Sequence, residues 1–232
     1  MSSLPVGPVV VGVDGSESAR AAVAWAARHA SRAQLPLRIV HAFGWPLVRV
    51  TSAPSHWTNG LRAEAWAVLE ESRNQAYAVD PDLAVTTDIT TGFCVPLLLR
   101  ESQAAGLIVV GTHGLGGFCG LVIRSTGVEL AARASAPVVV IRGRAAEEVD
   151  RSASVLVGYD GSPASDLAVA AGFDYAALHD RPVLLFQVSR FGGDANVTRR
   201  MVDLAATWHL VHPEIDVSSR VASGHPGGAL TE

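Results

Sequence analysis

Hydrophobic positions in this chain come in two rhythms. Short, nearly unbroken apolar runs stand at Val9–Val13, Leu37–Ala42, Leu107–Val110 and Val138–Ile141, with a weaker one at Leu83–Thr90. Runs without polar alternation suit parallel strands buried on both faces. Between them lie longer amphipathic or alanine-rich stretches that predict helices over Glu17–Ala33, Leu61–Val79, Val95–Ala105 and Thr126–Ser135. Asp14-Gly15-Ser16 breaks the first run, with Ser16 placed to cap the helix and Glu17 favourable to its dipole. Thr126-Gly127-Val128-Glu129 has the spacing of a capping box. Gly44–Gly60, carrying Trp45-Pro46, Pro54 and His56-Trp57, predicts a long loop. Strict strand–helix alternation predicts an α/β fold with a doubly wound parallel sheet and right-handed crossovers.

The pattern then starts again. Residues 9–16 read VVVGVDGS and residues 155–162 read VLVGYDGS, an offset of 146 that also aligns Ala22-Val23 with Ala168-Val169 and Pro36 with Pro182. The repeat predicts a complete domain over 1–143, a polar linker over 144–153 and a second copy over 154–232. In that copy, strands are expected at Val155–Tyr159, Val183–Val188 and Ile215–Val221, with a helix at Val197–Val211. Gly224-His225-Pro226 resembles the beginning of a third helix, and nothing after it corresponds to the fourth and fifth strands. The second copy is therefore expected to be incomplete.

Composition narrows the chemistry. The chain has 18 basic residues, and every one is arginine. Without lysine there is no Walker A loop, no kinase-type lysine and no Schiff base. A net charge of −4 offers no footprint for nucleic acid or an anionic membrane. No apolar run reaches bilayer-spanning length, and Met1–Pro8 lacks the features of a signal peptide. Two cysteines, Cys94 and Cys119, fit a reducing compartment, so a cytoplasmic location is expected. The eight histidines lack metal-ligand spacing, and no G-x-S-x-G elbow or nucleophile–base pair stands out. No catalytic residue and no metal ligand is predicted.

The stretch Gly111-Thr112-His113-Gly114-Leu115-Gly116-Gly117-Phe118-Cys119-Gly120 follows directly on a predicted buried strand. Open α/β sheets bind ligands at the carboxyl ends of their strands. Five glycines in this stretch let backbone amides converge on an anion, and a helix N-terminus near Thr126 would favour the same charge. A flexible strand-to-helix turn is the alternative. The dinucleotide fingerprint is not met, because Cys119 occupies the place of its third glycine.

Taken together, the V-x-x-D-G-S strand end, the G-T-H-G-x-G-G-x-x-G stretch, a serine before a helix and A-P-V-V-V-I resemble the universal stress protein family. The likeness covers residues 9–142 and part of 155–230. It implies a flavodoxin-like, HUP-like five-stranded sheet of order 3-2-1-4-5, plus the incomplete second copy. One branch of the family binds ATP through G-x2-G-x9-G-[ST]. Here Gly111, Gly114 and Ser125 match that motif, and Arg124 replaces its third glycine. Arginine there either obstructs the phosphates or binds them as a bidentate partner.

The resemblance implies a site of Gly12, Asp14, Val40, Ala42, Gly111, Thr112, His113, Gly114, Gly116, Gly117, Arg124, Ser125 and Thr126. Asp14 would face ribose or phosphates, or serve as a turn residue. Backbone at Val40–Ala42 would meet the adenine edge. His113 would touch phosphate or stand in solvent. ATP is the implied cofactor, with Mg as its companion ion. The implied role is a stress response through nucleotide-dependent conformation or association, with at most weak ATPase activity. A non-nucleotide interaction module and a slow nucleotide hydrolase are the alternatives. A homodimer through Val138–Ile141 is expected, that strand being apolar and at a sheet edge.

Overall fold

A computed structural model of the chain describes residues 6–43, 55–112, 126–142, 153–189 and 195–229. They form two compact units, one within Pro5–Glu147 and the other within Glu148–Glu232. The first unit runs β1 (Val9–Val13), α1 (Glu17–Ala33), β2 (Leu37–Phe43), α2 (Ser55–Val79) and β3 (Val85–Thr91). It continues through α3 (Cys94–Glu101), β4 (Leu107–Gly111), α4 (Thr126–Arg133) and β5 (Val138–Ile141). Every strand pairing is parallel and the order is β3-β2-β1-β4-β5, the doubly wound sheet expected from the alternation and the resemblance.

Alternate strand residues point to opposite faces. Val9, Val11, Leu37, Ile39 and Val109 pack with α1 and with Leu69 and Ala76 of α2. Val10, Val40, Ile108 and Val110 pack with Leu97 and Leu98 of α3 and Leu130 of α4. Each fully buried aliphatic side chain contributes about 1.5–3 kcal/mol. Ala22, Ala26, Ala27 and Ala30 of α1 are wholly buried, and their single methyl groups let the helix lie close to the sheet.

Most boundaries move by one or two residues, and two differ more. Residues 55–60, expected in a loop, are the first turns of α2, while residues 44–54 lie outside the described residues. Gly60, the last residue of the expected loop, faces open space and costs the helix only about 1 kcal/mol. The α3 helix stops at Glu101 instead of Ala105. Beyond it, Gln103 and Ala104 bond to Arg100 and Glu101, tightening the chain into i→i−3 turns.

The second unit contains β6 (Val155–Gly158), α5 (Pro163–His179), β7 (Val183–Ser189), α6 (Ala195–Val211), β8 (Val217–Ser223) and α7 (Pro226–Ala229). Its parallel sheet has the order β6-β7-β8. Main-chain bonds recur between the units. Val9 N donates to Pro36 O at 2.9 Å, and Val155 N to Pro182 O at 2.8 Å. Gly92 N donates to Phe43 O at 2.9 Å, and Gly224 N to Ser189 O at 3.1 Å. Phe173 is fully buried against Trp208, with ring centroids 4.6 Å apart, among Val157, Val169, Leu185 and Met201. The units differ at the flank of the first strand. Whereas β1 pairs with both β2 and β4, β6 pairs only with β7 among the described residues. Val10 is accordingly 1% exposed, and Leu156, its counterpart, 47%.

One polar clamp ties β2 and β3 of the first sheet to α3. Arg38 of β2 donates through Nε to Glu101 at 2.8 Å and through Nη2 to Asp88 at 2.7 Å. Glu101, more than Asp88, raises the pKa of this guanidinium. Glu101 is the more enclosed carboxylate, with 15% of its side chain exposed against 42% for Asp88. Arg38→Met keeps the aliphatic stem but leaves Glu101 without this partner. Urea unfolding is expected to show a loss of about 1–3 kcal/mol, partly restored by adding Glu101→Gln.

Candidate functional site

The candidate site is built around the carboxyl ends of β1 and β4. The chain winds from β1 outward through β2 and β3, then returns to the other side of β1 as β4. This reversal leaves a crevice where neighbouring connections diverge to opposite faces of the sheet.

At the end of β1, Asp14 Oδ1 accepts a hydrogen bond from Ser16 N at 3.0 Å, closing an Asx turn. Gly15, at φ 84°, supplies the left-handed conformation this turn needs. Ser16 is buried; its Oγ accepts from Ala19 N at 3.1 Å and lies 3.2 Å from Ser18 Oγ. Arg20 Nη1 donates to Gly15 O at 2.8 Å, fixing the turn from the helix side.

The same turn occurs in the second unit. Asp160 Oδ1 accepts from Ser162 N at 2.9 Å, Gly161 has φ 82°, and Ser162 caps α5 by accepting from Ser165 N. There the Ser162 hydroxyl, followed by its amide, holds the Asp160 carboxyl below the usual carboxylate range. Among the described residues β6 has no neighbour in the place of β4, and the turn forms there all the same. Its geometry is a local consequence of D-G-S before a helix. What distinguishes the first unit is what stands beside the turn.

Gly111 ends β4 against α1. A Cβ on Gly111 would lie 2.6 Å from the backbone C and O and the Oγ of Ser18, so only glycine permits this approach. Thr112 follows, its amide donating to Ile141 O at 3.0 Å. Asp14, Ser16, Ser18, Gly111 and Thr112 thus gather at the junction of two strand ends and one helix start. Gly12 has a different explanation. A Cβ there would meet Leu98 methyls at 3.1 and 3.2 Å, so its smallness serves the packing of α3.

On the β2 side, Val40 pairs with Gly12 and is buried in the core beneath α3. Ala42 is half-buried two residues beyond. Between them His41 Nδ1 donates to Val13 O at 2.7 Å, bracing the residue before Asp14. Sequence reasoning passed over His41, although a polar residue inside the apolar run Leu37–Ala42 was the available signal. Thr126 begins α4, with its Oγ1 3.9 Å from Cys94 Sγ at the start of α3. His113, Gly114, Gly116, Gly117, Arg124 and Ser125 lie outside the described residues. Among the described residues, no three His, Cys, Asp or Glu side chains are grouped to hold a metal ion, and no helix is long and apolar enough to cross a membrane.

Comparison with known proteins places these features in a family. Residues 5–142 match the family model described as the universal stress protein family. A universal stress protein of Mycobacterium tuberculosis is 30% identical over 246 aligned positions, covering 97% of this chain and 82% of the relative. One from Mycolicibacterium smegmatis is 29% identical with the same coverage. Among solved structures, a universal stress protein from Archaeoglobus fulgidus superposes with a TM-score of 0.76 at 18% identity. That match covers 98% of this chain and 80% of the other, and bears on the fold.

The contrast between the two glycines is testable. Gly111→Ala presses a methyl group into backbone, which cannot yield without separating β4 from α1, and is expected to cost about 1–3 kcal/mol. Gly12→Ala meets side-chain methyl groups of Leu98 and no backbone, and should cost less. Urea unfolding of both variants measures the difference.

Proposed function

The chain belongs to the universal stress protein family, and we propose that its first unit binds an adenine nucleotide at the carboxyl edge of the five-stranded sheet. The observation that carries this reading is the meeting of Gly111 with the first turn of α1 beside Asp14. At a topological switch point, this junction puts a carboxylate, two serine hydroxyls and the start of a helix around one crevice. The glycine-rich sequence after β4 and the family motif at Gly111, Gly114 and Ser125 support a phosphate-binding role for the adjoining segment. ATP is the nucleotide the motif favours, and Mg enters as its companion ion.

In this reading residues 1–143 are the nucleotide-binding domain and 154–232 a partial second copy. Asp14 receives the ribose hydroxyls, and the main chain near Val40–Ala42 receives the adenine edge. Nucleotide acts by shifting conformation or association in a cytoplasmic stress response, with little turnover. Arg124, standing where the motif has glycine, favours a second reading, in which the unit is an interaction module whose phosphate site the arginine fills.

Calorimetry distinguishes these readings. One ATP per chain is expected, with Asp14→Asn weakening binding about tenfold and Asp160→Asn leaving it unchanged. Asparagine preserves the acceptor for Ser16 while removing the charge. Arg124→Gly tightens binding if the arginine obstructs the site. Absence of binding at millimolar ATP, with Arg124→Gly restoring it, selects the interaction module.

Association follows from β5. Ile108 N donates to Pro137 O at 2.9 Å and Thr112 N to Ile141 O at 3.0 Å, so alternation turns the main chain of Val139 toward β4. The amides of Val138 and Val140 then face the outer flank. A homodimer pairing Val138–Ile141 with the same strand of a second chain would use them. Val140→Pro removes one outward donor and no bond to β4, and is expected to convert dimers to monomers in light scattering.

A further inference from the structure

We propose that Phe93 is a base-stacking residue of the candidate site, its ring forming the wall against which the heterocycle of a bound nucleotide lies. The proposal rests on the nucleotide reading above and adds to it a residue that no sequence motif marks.

The packing of α3 sets the position of Phe93. Leu98 covers Gly12 of β1, and Leu97 N bonds back to Phe93 O. Helices in this fold run opposite to the strands they cover. From Leu98 back to Phe93 the helix rises roughly 7.5 Å toward the carboxyl edge, while β1 from Gly12 to Asp14 advances roughly 6.6 Å. Phe93 therefore stands at about the level of Asp14. Two bonds fix it laterally. Gly92 N donates to Phe43 O at 2.9 Å, tying this turn to the end of β2, and Cys94 Sγ lies 3.9 Å from Thr126 Oγ1 at the head of α4. Phe93 sits between the strand end proposed to meet adenine and the helix that follows the glycine-rich segment.

Its local chemistry has no structural purpose in view. Phe93 occupies the N-cap of α3, where serine, threonine, aspartate or asparagine would satisfy helix amides, and its side chain makes no cap hydrogen bond. The preceding Gly92, at φ 139°, provides a backbone conformation that other residues rarely adopt. Phe93 is 51% exposed, more than any other Phe, Tyr or Trp among the described residues. An aromatic residue in a capping position, left open at a ligand crevice, breaks local rules where functional sites commonly do. Stacking on a base provides an aromatic partner for that face and tolerates any heterocycle.

The test compares Phe93→Ala, Phe93→Leu and Phe93→Trp in the full chain, using ATP titration by calorimetry and the melting midpoint without nucleotide. Alanine and leucine are expected to weaken ATP about tenfold, and tryptophan to stay within about threefold of the parent. All three midpoints should match the parent. Leucine binding ATP as well as phenylalanine overturns stacking, and so does weakening that follows a falling midpoint. If the unsubstituted chain binds no ATP, the nucleotide reading fails and takes this proposal with it. If it binds ATP and Phe93→Ala does too with equal affinity, only the role of Phe93 is lost.

Discussion

Pairing on both flanks of β1 is the constraint on which the first unit depends. This strand donates and accepts along β2 on one side and β4 on the other, and its side chains alternate into two cores. Parallel strands cannot be joined by tight turns, so each pairing requires a helical crossover. Those crossovers cover both faces, and the reversal of winding at β1 opens a crevice at its carboxyl end. Fold and site therefore share one cause. The second unit shows the same strand with one described flank and an exposed leucine in place of a buried valine.

The duplicated D-G-S turn separates structure from function within one chain. Asp14 and Asp160 make the same bond to a serine amide two residues on, both after a strand and before a capped helix. An aspartate there is accounted for by the turn alone. The proposed binding role rests on the neighbours, above all on β4 ending on glycine where any Cβ would strike α1. A motif residue gains functional meaning from what packs beside it, and the two copies provide the comparison internally.

Glycines in the crevice divide in the same way. Gly15 answers a backbone angle, Gly12 makes room for leucine methyls, and Gly111 lets two backbones touch. All three belong to a family-like pattern, yet only Gly111 is tied by its surroundings to the junction at the switch point. Phe93 lies at the other extreme, outside any motif and close to the same edge.

The sequence by itself determined the strand–helix alternation, the repeat, the turn at Asp14-Gly15-Ser16 and the helix cap that follows. Each is written within a short window: apolar runs, a capping serine, a glycine for a left-handed angle. Resemblance added the strand order. Helix ends were less legible, because Gly60 on an open surface and the tightened turn after Glu101 depend on surroundings that a local pattern does not carry. Only the tertiary structure decided that Arg38 would clasp Glu101, sixty-three positions away, and that His41 would brace the carbonyl before Asp14. It alone separated the reason for Gly12 from that for Gly111 and left Phe93 exposed at the start of α3. Such contacts join residues distant along the chain, and the free energy that selects them arises only when strands and helices are packed together.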